Sequence, residues 1–189
     1  VFPLNLPNFL TLLRIIAVPV VVVALLGETP NGDALAAAVF ALAALTDGLD
    51  GYFARSRDAV TTFGKLMDPL ADKLLITASL ISLVSLHRLE AWVAMVIIAR
   101  EIAVTGLRAI AAERGVVIAA SWMGKAKTVL QIAAVIGLIA ANPAPAWVYV
   151  LVYLAVAATA ISGADYFFGL RRRIEQEREA RTAVAAKPG

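Results

Sequence analysis

Six long apolar stretches alternate with short polar breaks along the chain. The first runs from Asn8 to about Gly27, is built largely of Val, Leu and Ile, and ends in Glu28-Thr29-Pro30-Asn31-Gly32. The second, Asp33 to Arg55, is rich in alanine, and the third runs from Phe63 to Leu86. The fourth covers Ala91–Ala112, the fifth opens at about Ser121 and reaches Ala141, and the sixth covers Ala146–Leu170. Each is long enough to cross a hydrocarbon layer as an α-helix, which takes about 20 residues. The pattern predicts an all-α, polytopic membrane protein with six transmembrane helices. Residues 1–172 form one transmembrane domain in this scheme, with 1–7 (VFPLNLP) as a short interfacial segment before the first span. Residues 173–189 are polar and charged and are expected to fray.

The apolar pattern is broken most sharply between Thr46 and Lys73, TDGLDGYFARSRDAVTTFGKLMDPLADK. Asp47 and Asp50 are spaced i,i+3 and Asp68 and Asp72 i,i+4, so each pair shares one helix face. The break between the pairs, about Ser56 to Thr62, is short enough to predict that spans two and three are antiparallel neighbours. Equal distance from the turn then means equal depth. Asp50 would lie level with Asp68, and Asp47 with Asp72, at roughly 10–15 Å below the surface from the helical rise. Four like charges brought together and buried are unstable alone, and a bound cation resolves the conflict. Ligands that are all carboxylates select a hard ion such as Mg²⁺, Mn²⁺ or Ca²⁺. Ion pairs with nearby Arg or Lys are the plainer alternative, but acids inside a membrane are expensive and default to function. The chain has no cysteine, and its single histidine, His87, falls at a predicted helix end away from the aspartates. A thiolate site and a histidine-based zinc centre are thereby excluded.

Other polar positions add to this. Asn8, Thr11 and Arg14 fall broadly on one face at the start of span one, either as a cap with a snorkelling arginine or facing the site. Span three also carries Lys65 and Lys73. Span four carries Arg100, Glu101, Thr105 and Arg108, a stripe that either faces a cavity or forms an internal Arg100–Glu101 network. Lys125 and Lys127 open span five without sharing a face, and Asp165, near the end of span six, is expected to pair with a base on another helix.

Composition supports the membrane assignment: 61% of residues are hydrophobic and 16% charged, against about 25% charged in soluble domains. The net charge of +3 hides a lopsided distribution. Of 17 Lys and Arg, only Arg88 falls on the side opposite the termini. The positive-inside rule therefore puts both termini and the aspartates on the cytoplasmic side. Arg171-Arg172-Arg173 suits anionic lipid headgroups, and no nucleic-acid partner is expected.

Asp47-x-x-Asp50-Gly51-x-x-Ala54-Arg55, eight residues, Gly64-x-x-x-Asp68-x-x-x-Asp72 resembles the signature of the CDP-alcohol phosphatidyltransferases at all eight fixed positions over 26 residues. Three further stretches resemble the phosphatidylglycerophosphate synthase branch of that family: Pro7-Asn8-x-x-Thr11-x-x-Arg14, Arg100-Glu101-x-x-x-Thr105-Gly106-x-Arg108 and Gly124-Lys125-x-Lys127-Thr128-x-x-Gln131. The resemblance covers nearly the whole transmembrane chain. It implies an enzyme that moves a phosphatidyl group from CDP-diacylglycerol to an alcohol, here glycerol 3-phosphate, and releases CMP. It implies Asp47, Asp50 and Asp68 as ligands of Mg²⁺ or Mn²⁺, two ions, with Asp72 as general base and a further ligand. Asn8, Thr11, Gly51, Ala54, Arg55 and Lys65 would meet the CDP-lipid, and Arg100, Thr105, Arg108, Lys125 and Lys127 the acceptor phosphate. A homodimer in the inner (cytoplasmic) membrane, with its site facing the cytoplasm, is implied as well. Inositol phosphate or phosphatidylglycerol, the latter as in cardiolipin synthases, stay open as acceptors, because charge alone does not separate phosphorylated alcohols. A divalent-cation transporter would also bury carboxylates. It would need ionisable residues leading to the far side, which the outer stretches of spans three and five lack.

Overall fold

The computed structural model describes residues 6–27, 29–53, 62–113 and 122–185, with side chains over 9–27, 29–46, 70–112 and 123–169. Six helices make up these residues: α1 (Leu6–Leu26), α2 (Gly32–Phe53), α3 (Thr62–Ser85), α4 (Ala91–Glu113), α5 (Trp122–Ala140) and α6 (Ala146–Ala185). They fall on the six apolar stretches, and no strand occurs among the described residues. Three of them are long and apolar enough to cross a membrane by composition alone, over Phe9–Leu26, Met123–Ala140 and Ala146–Gly169. Helices α2, α3 and α4 match these in length, but acids and bases interrupt their apolar runs. Among the described residues the apolar part of α2 covers Gly32–Thr46.

Each helix buries one stripe and turns large apolar side chains outward. In α1 the buried stripe is Thr11, Arg14, Ala17, Val21, Ala24 and Leu25, while Leu12, Ile16 and Val23 on other faces are exposed. In α6, Val148, Val152, Ala155, Thr159 and Ser162 are buried, and Val150, Leu154 and Ile161 are exposed. The interior combines small and polar residues with large apolar ones such as Phe40, Leu80, Leu83 and Leu138, and the bulky hydrocarbon turned outward is what a lipid solvent accepts. Close approach sets the α5–α6 contact: a Cβ at Gly137 would lie 3.0 Å from both γ-methyls of Val148.

The turn-proximal side chains of the expected α2–α3 hairpin lie outside the described residues. Among the described residues α1 packs extensively on both α2 and α3, which make few direct contacts with each other. A cavity is lined by both α2 and α3, and α1 supplies apolar surface to each. The far pole is closed by the α3–α4 connection. There the amides of His87 and Arg88 bond back to the carbonyls of Val84 and Leu83, with His87 at φ 57° in the left-handed cap position that glycine usually fills. Arg88 forms an ion pair with Asp33 at 2.9 Å and donates a hydrogen bond to the Ile139 carbonyl at 3.4 Å. One side chain thus ties together the start of α2, the end of α3 and the end of α5.

Helix α6 does not end near Leu170. It runs on to Ala185, which corrects the expectation of a frayed tail. The reason is local: Glu, Gln, Arg and Ala dominate 171–185, and Arg171–Glu175 and Glu177–Arg181 are spaced i,i+4.

Candidate active site

The second halves of α2 and α4 and the first halves of α3 and α5 surround a cavity of about 620 Å³. All four segments lie at one pole, opposite the Arg88 tie. The α2 wall is apolar, with Phe40, Ala44 and Leu45, while α3, α4 and α5 bring Asp72, Lys73, Arg100, Glu101, Arg108, Lys125 and Lys127. Among the described lining residues, five cations and two carboxylates face the cavity. Beneath lies a void of about 10 Å³ whose lining, Gln131 apart, is apolar.

Glu101 organises the charged wall. Its Oε1 accepts hydrogen bonds from the Lys127 ammonium and, at 3.2 Å, from Arg100 Nη1. Its Oε2 lies 3.4 Å from Lys73 Nζ, and Lys73 in turn donates to Asp72 Oδ2 at 3.1 Å. Arg100 Nη2 donates to Ser162 Oγ on α6 at 2.6 Å. The absence of a side chain at Gly163 makes room for the arginine stem, since a Cβ there would lie 3.3 Å from Arg100 Cγ. The network is buried unevenly: the Lys127 side chain is 4% exposed and that of Asp72 is 36%. Asp72 is therefore the carboxylate open to an incoming ligand. Arg108 lies over the Tyr166 ring at 5.4 Å. Neither Arg108 nor Lys125 makes an ion pair among the described residues, so both present their charge to the cavity.

The structure thus brings together Asp72, Arg100, Arg108, Lys125 and Lys127, as expected from the sequence. It divides them: Arg100 and Lys127 are engaged by Glu101, and Arg108 and Lys125 are not. Thr105 is half-buried and is not part of the cavity wall. Thr11 is buried on α1, and Arg14 beside it is 1% exposed, so this arginine does not snorkel to the surface. Asp47, Asp50 and Gly51 lie near the end of α2, and Lys65 and Asp68 near the start of α3. The side chains of these residues and of Asn8, and all of Ala54 and Arg55, lie outside the described residues. Among the described residues no group of three His, Cys, Asp or Glu is placed to hold a metal. Asp72 is the described member of the expected set, and its cavity-facing carboxylate supplies the oxygen chemistry that a hard divalent ion takes.

Sequence reasoning noted Glu101 and Lys73 but did not identify them as the core of the charged wall. It quoted Gln131 in the span-five stretch without giving it a role, and it missed Ser162 and Tyr166 as partners of Arg100 and Arg108. Glu101 carried a signal, as a carboxylate inside an apolar helix. Ser162 and Tyr166 carried none, because such residues are ordinary in membrane helices. Asp165 is exposed and makes no ion pair among the described residues. The expected partner is missing because its face of α6 turns away from the bundle.

Residues 4–161 match the family described as CDP-alcohol phosphatidyltransferase. The chain is 43% identical over 180 residues to the CDP-diacylglycerol–glycerol-3-phosphate 3-phosphatidyltransferase of Bacillus subtilis (strain 168), covering 86% of this chain and 93% of that one. It is 44% identical over 168 residues to the probable phosphatidylglycerophosphate synthase of Mycobacterium tuberculosis (strain ATCC 25618 / H37Rv), covering 86% and 79%. Identity to the CDP-diacylglycerol–glycerol-3-phosphate 3-phosphatidyltransferase of Rickettsia bellii (strain RML369-C) is 37% over 169 residues, covering 86% and 93%. The family match takes in every residue of the cavity wall.

Proposed function

The chain belongs to the CDP-alcohol phosphatidyltransferase family, and on that premise we propose that it transfers the phosphatidyl group of CDP-diacylglycerol to sn-glycerol 3-phosphate, giving phosphatidylglycerophosphate and CMP. The observation that carries this is that relatives named for that activity align over most of the chain. The cavity-lining Arg108 and Lys125, without an ion pair among the described residues, support it, because a phosphorylated acceptor needs positive partners. Arg108 and Lys125 are free to serve, each charge-assisted hydrogen bond contributing about 1.5–3 kcal/mol. With the acceptor phosphate held there, its terminal hydroxyl is directed to Asp72, whose carboxylate takes the proton. The hydroxyl oxygen attacks the phosphorus that bears the diacylglycerol, the bond from that phosphorus to the bridging oxygen breaks, and CMP leaves. Lys73, held between Asp72 and Glu101, orients the base. Asp47, Asp50 and Asp68, with Asp72, would hold Mg²⁺ or Mn²⁺, one ion or two, which when bound supplies charge neutralisation on the pyrophosphate and the leaving group. Asn8, Thr11, Gly51, Ala54, Arg55 and Lys65 serve the CDP-lipid in this reading.

An acceptor screen with purified protein and CDP-diacylglycerol tests the proposal. CMP should be released with glycerol 3-phosphate and only poorly with free glycerol. Arg108→Gln should raise the KM for glycerol 3-phosphate roughly tenfold or more and change the apparent affinity for the CDP-lipid less. Release with inositol 3-phosphate, serine or phosphatidylglycerol but not with glycerol 3-phosphate would move the chain to another branch of the family.

All six helices span the cytoplasmic membrane in this proposal, with residues 1–172 as the catalytic domain and both termini and the site facing the cytoplasm. Helices α3 and α4 are less apolar overall, yet Leu70, Leu74 and Ile81 of α3 and Met95, Ile102 and Ile110 of α4 are exposed, as lipid contact requires. The basic residues support the orientation. A cysteine at Ser56 should react only with reagent on the cytoplasmic side, and one at Thr29 only from outside; the reverse pattern would overturn the orientation.

A further inference from the structure

On the inward face of α5, the polar residues end at Gln131. Lys127, one turn earlier, is bonded to Glu101, and beyond Gln131 the buried positions are Ala134, Val135, Leu138 and Ile139. Gln131 lines both the charged cavity and the apolar void beneath it, so it forms the boundary between them. Gln131 is 3% exposed, and among the described residues its Oε1 has no hydrogen-bond partner. A buried amide oxygen without a donor is destabilising, so any group that supplies one is favoured there.

Resting on the function proposed above, we infer that Gln131 selects the acceptor by accepting a hydrogen bond from its secondary hydroxyl. Glycerol 3-phosphate offers three polar points. Its phosphate suits Arg108 and Lys125, and its terminal hydroxyl suits Asp72. The C2 hydroxyl between them needs an acceptor atom, and the cavity-lining residue Gln131 carries a buried Oε1 that is unsatisfied among the described residues. The amide has the right polarity for this task. Unlike the neighbouring ammonium and guanidinium groups it can accept a proton donor, and unlike a carboxylate it adds no repulsion toward the phosphate. A site built to bond a substrate hydroxyl leaves its own group unpaired when an analogue lacks that hydroxyl, and discriminates on that ground.

The test compares glycerol 3-phosphate with 3-hydroxypropyl phosphate, the analogue without the C2 hydroxyl, in the full-length protein and in Gln131→Leu. The parent protein should use the analogue about 10- to 100-fold less efficiently in kcat/KM. In Gln131→Leu, glycerol 3-phosphate should fall to near the analogue's level, while the analogue itself changes by less than about threefold, as a double-mutant cycle requires of a direct contact. The KM for CDP-diacylglycerol should hold. Discrimination that persists undiminished in the variant overturns the inference, as does a parent protein that uses both acceptors equally; Oε1 is then met by a buried water. Should Gln131→Leu fail to fold, Gln131→Met, which keeps the chain length, replaces it in the same comparison. A parent protein inactive with both acceptors but active with inositol 3-phosphate defeats the function proposed above. A parent active with glycerol 3-phosphate whose variant still discriminates defeats only the role of Gln131.

Discussion

Asp72→Asn is expected to lower CMP release by roughly a hundred- to ten-thousandfold, the range a positioned general base supplies, while the bundle stays folded. Asparagine keeps the shape of the side chain but cannot take the proton from the acceptor hydroxyl, and it is a weaker ligand for a divalent ion. Folding should tolerate the change, because Asp72 is 36% exposed and Lys73 keeps Glu101 at 3.4 Å as a second partner. A half-exposed ion pair of this kind contributes about 0–1 kcal/mol. The loss should therefore appear in kcat with little shift of the unfolding temperature in detergent. The same assay in EDTA should abolish activity in the parent protein, and Mg²⁺ or Mn²⁺ should restore it. Asp72→Asn retaining activity within about tenfold of the parent would remove this residue from the role of base. Full activity in EDTA would remove the metal.

Glu101→Gln should produce a large loss of stability. Glu101 is the shared carboxylate of Lys73, Arg100 and Lys127. Its neutralisation leaves three positive charges close together, one of them on a side chain only 4% exposed. Breaking a buried pair by removing one partner costs about 3–5 kcal/mol, equivalent to a fall of roughly 6–20 °C in unfolding temperature for a chain of this size. The remedy follows from the same physics. Adding Lys127→Met to Glu101→Gln removes the stranded ammonium and should recover much of the lost stability, because replacing both members of a buried pair is far milder than replacing one. Glu101→Gln melting within about 2 °C of the parent would mean that the network is hydrated and contributes little.

Six helices, their limits to within a few residues apart from the end of α6, and the signature of the family were legible in the sequence alone. Hydropathy runs of about 20 residues define helices without reference to neighbours, and the spacing of Asp47, Asp50, Asp68 and Asp72 is local to two of them. The tertiary structure decided which helices touch and which charges meet. Periodicity fixes the faces of a helix but not the partner toward which each face turns. It therefore left open that α1 packs on both α2 and α3 and that these two helices line one cavity. Glu101 and Lys127 are 26 positions apart, and Arg100 and Ser162 are 62 apart; only folding turns these four toward one another. It also sorts five similar cations into two that remain available to a ligand, Arg108 and Lys125, and three that a single carboxylate holds. That division arises because Glu101 is fixed on α4 within reach of α3 and α5 at once, a geometry that follows from helix rotation and packing and not from residue type.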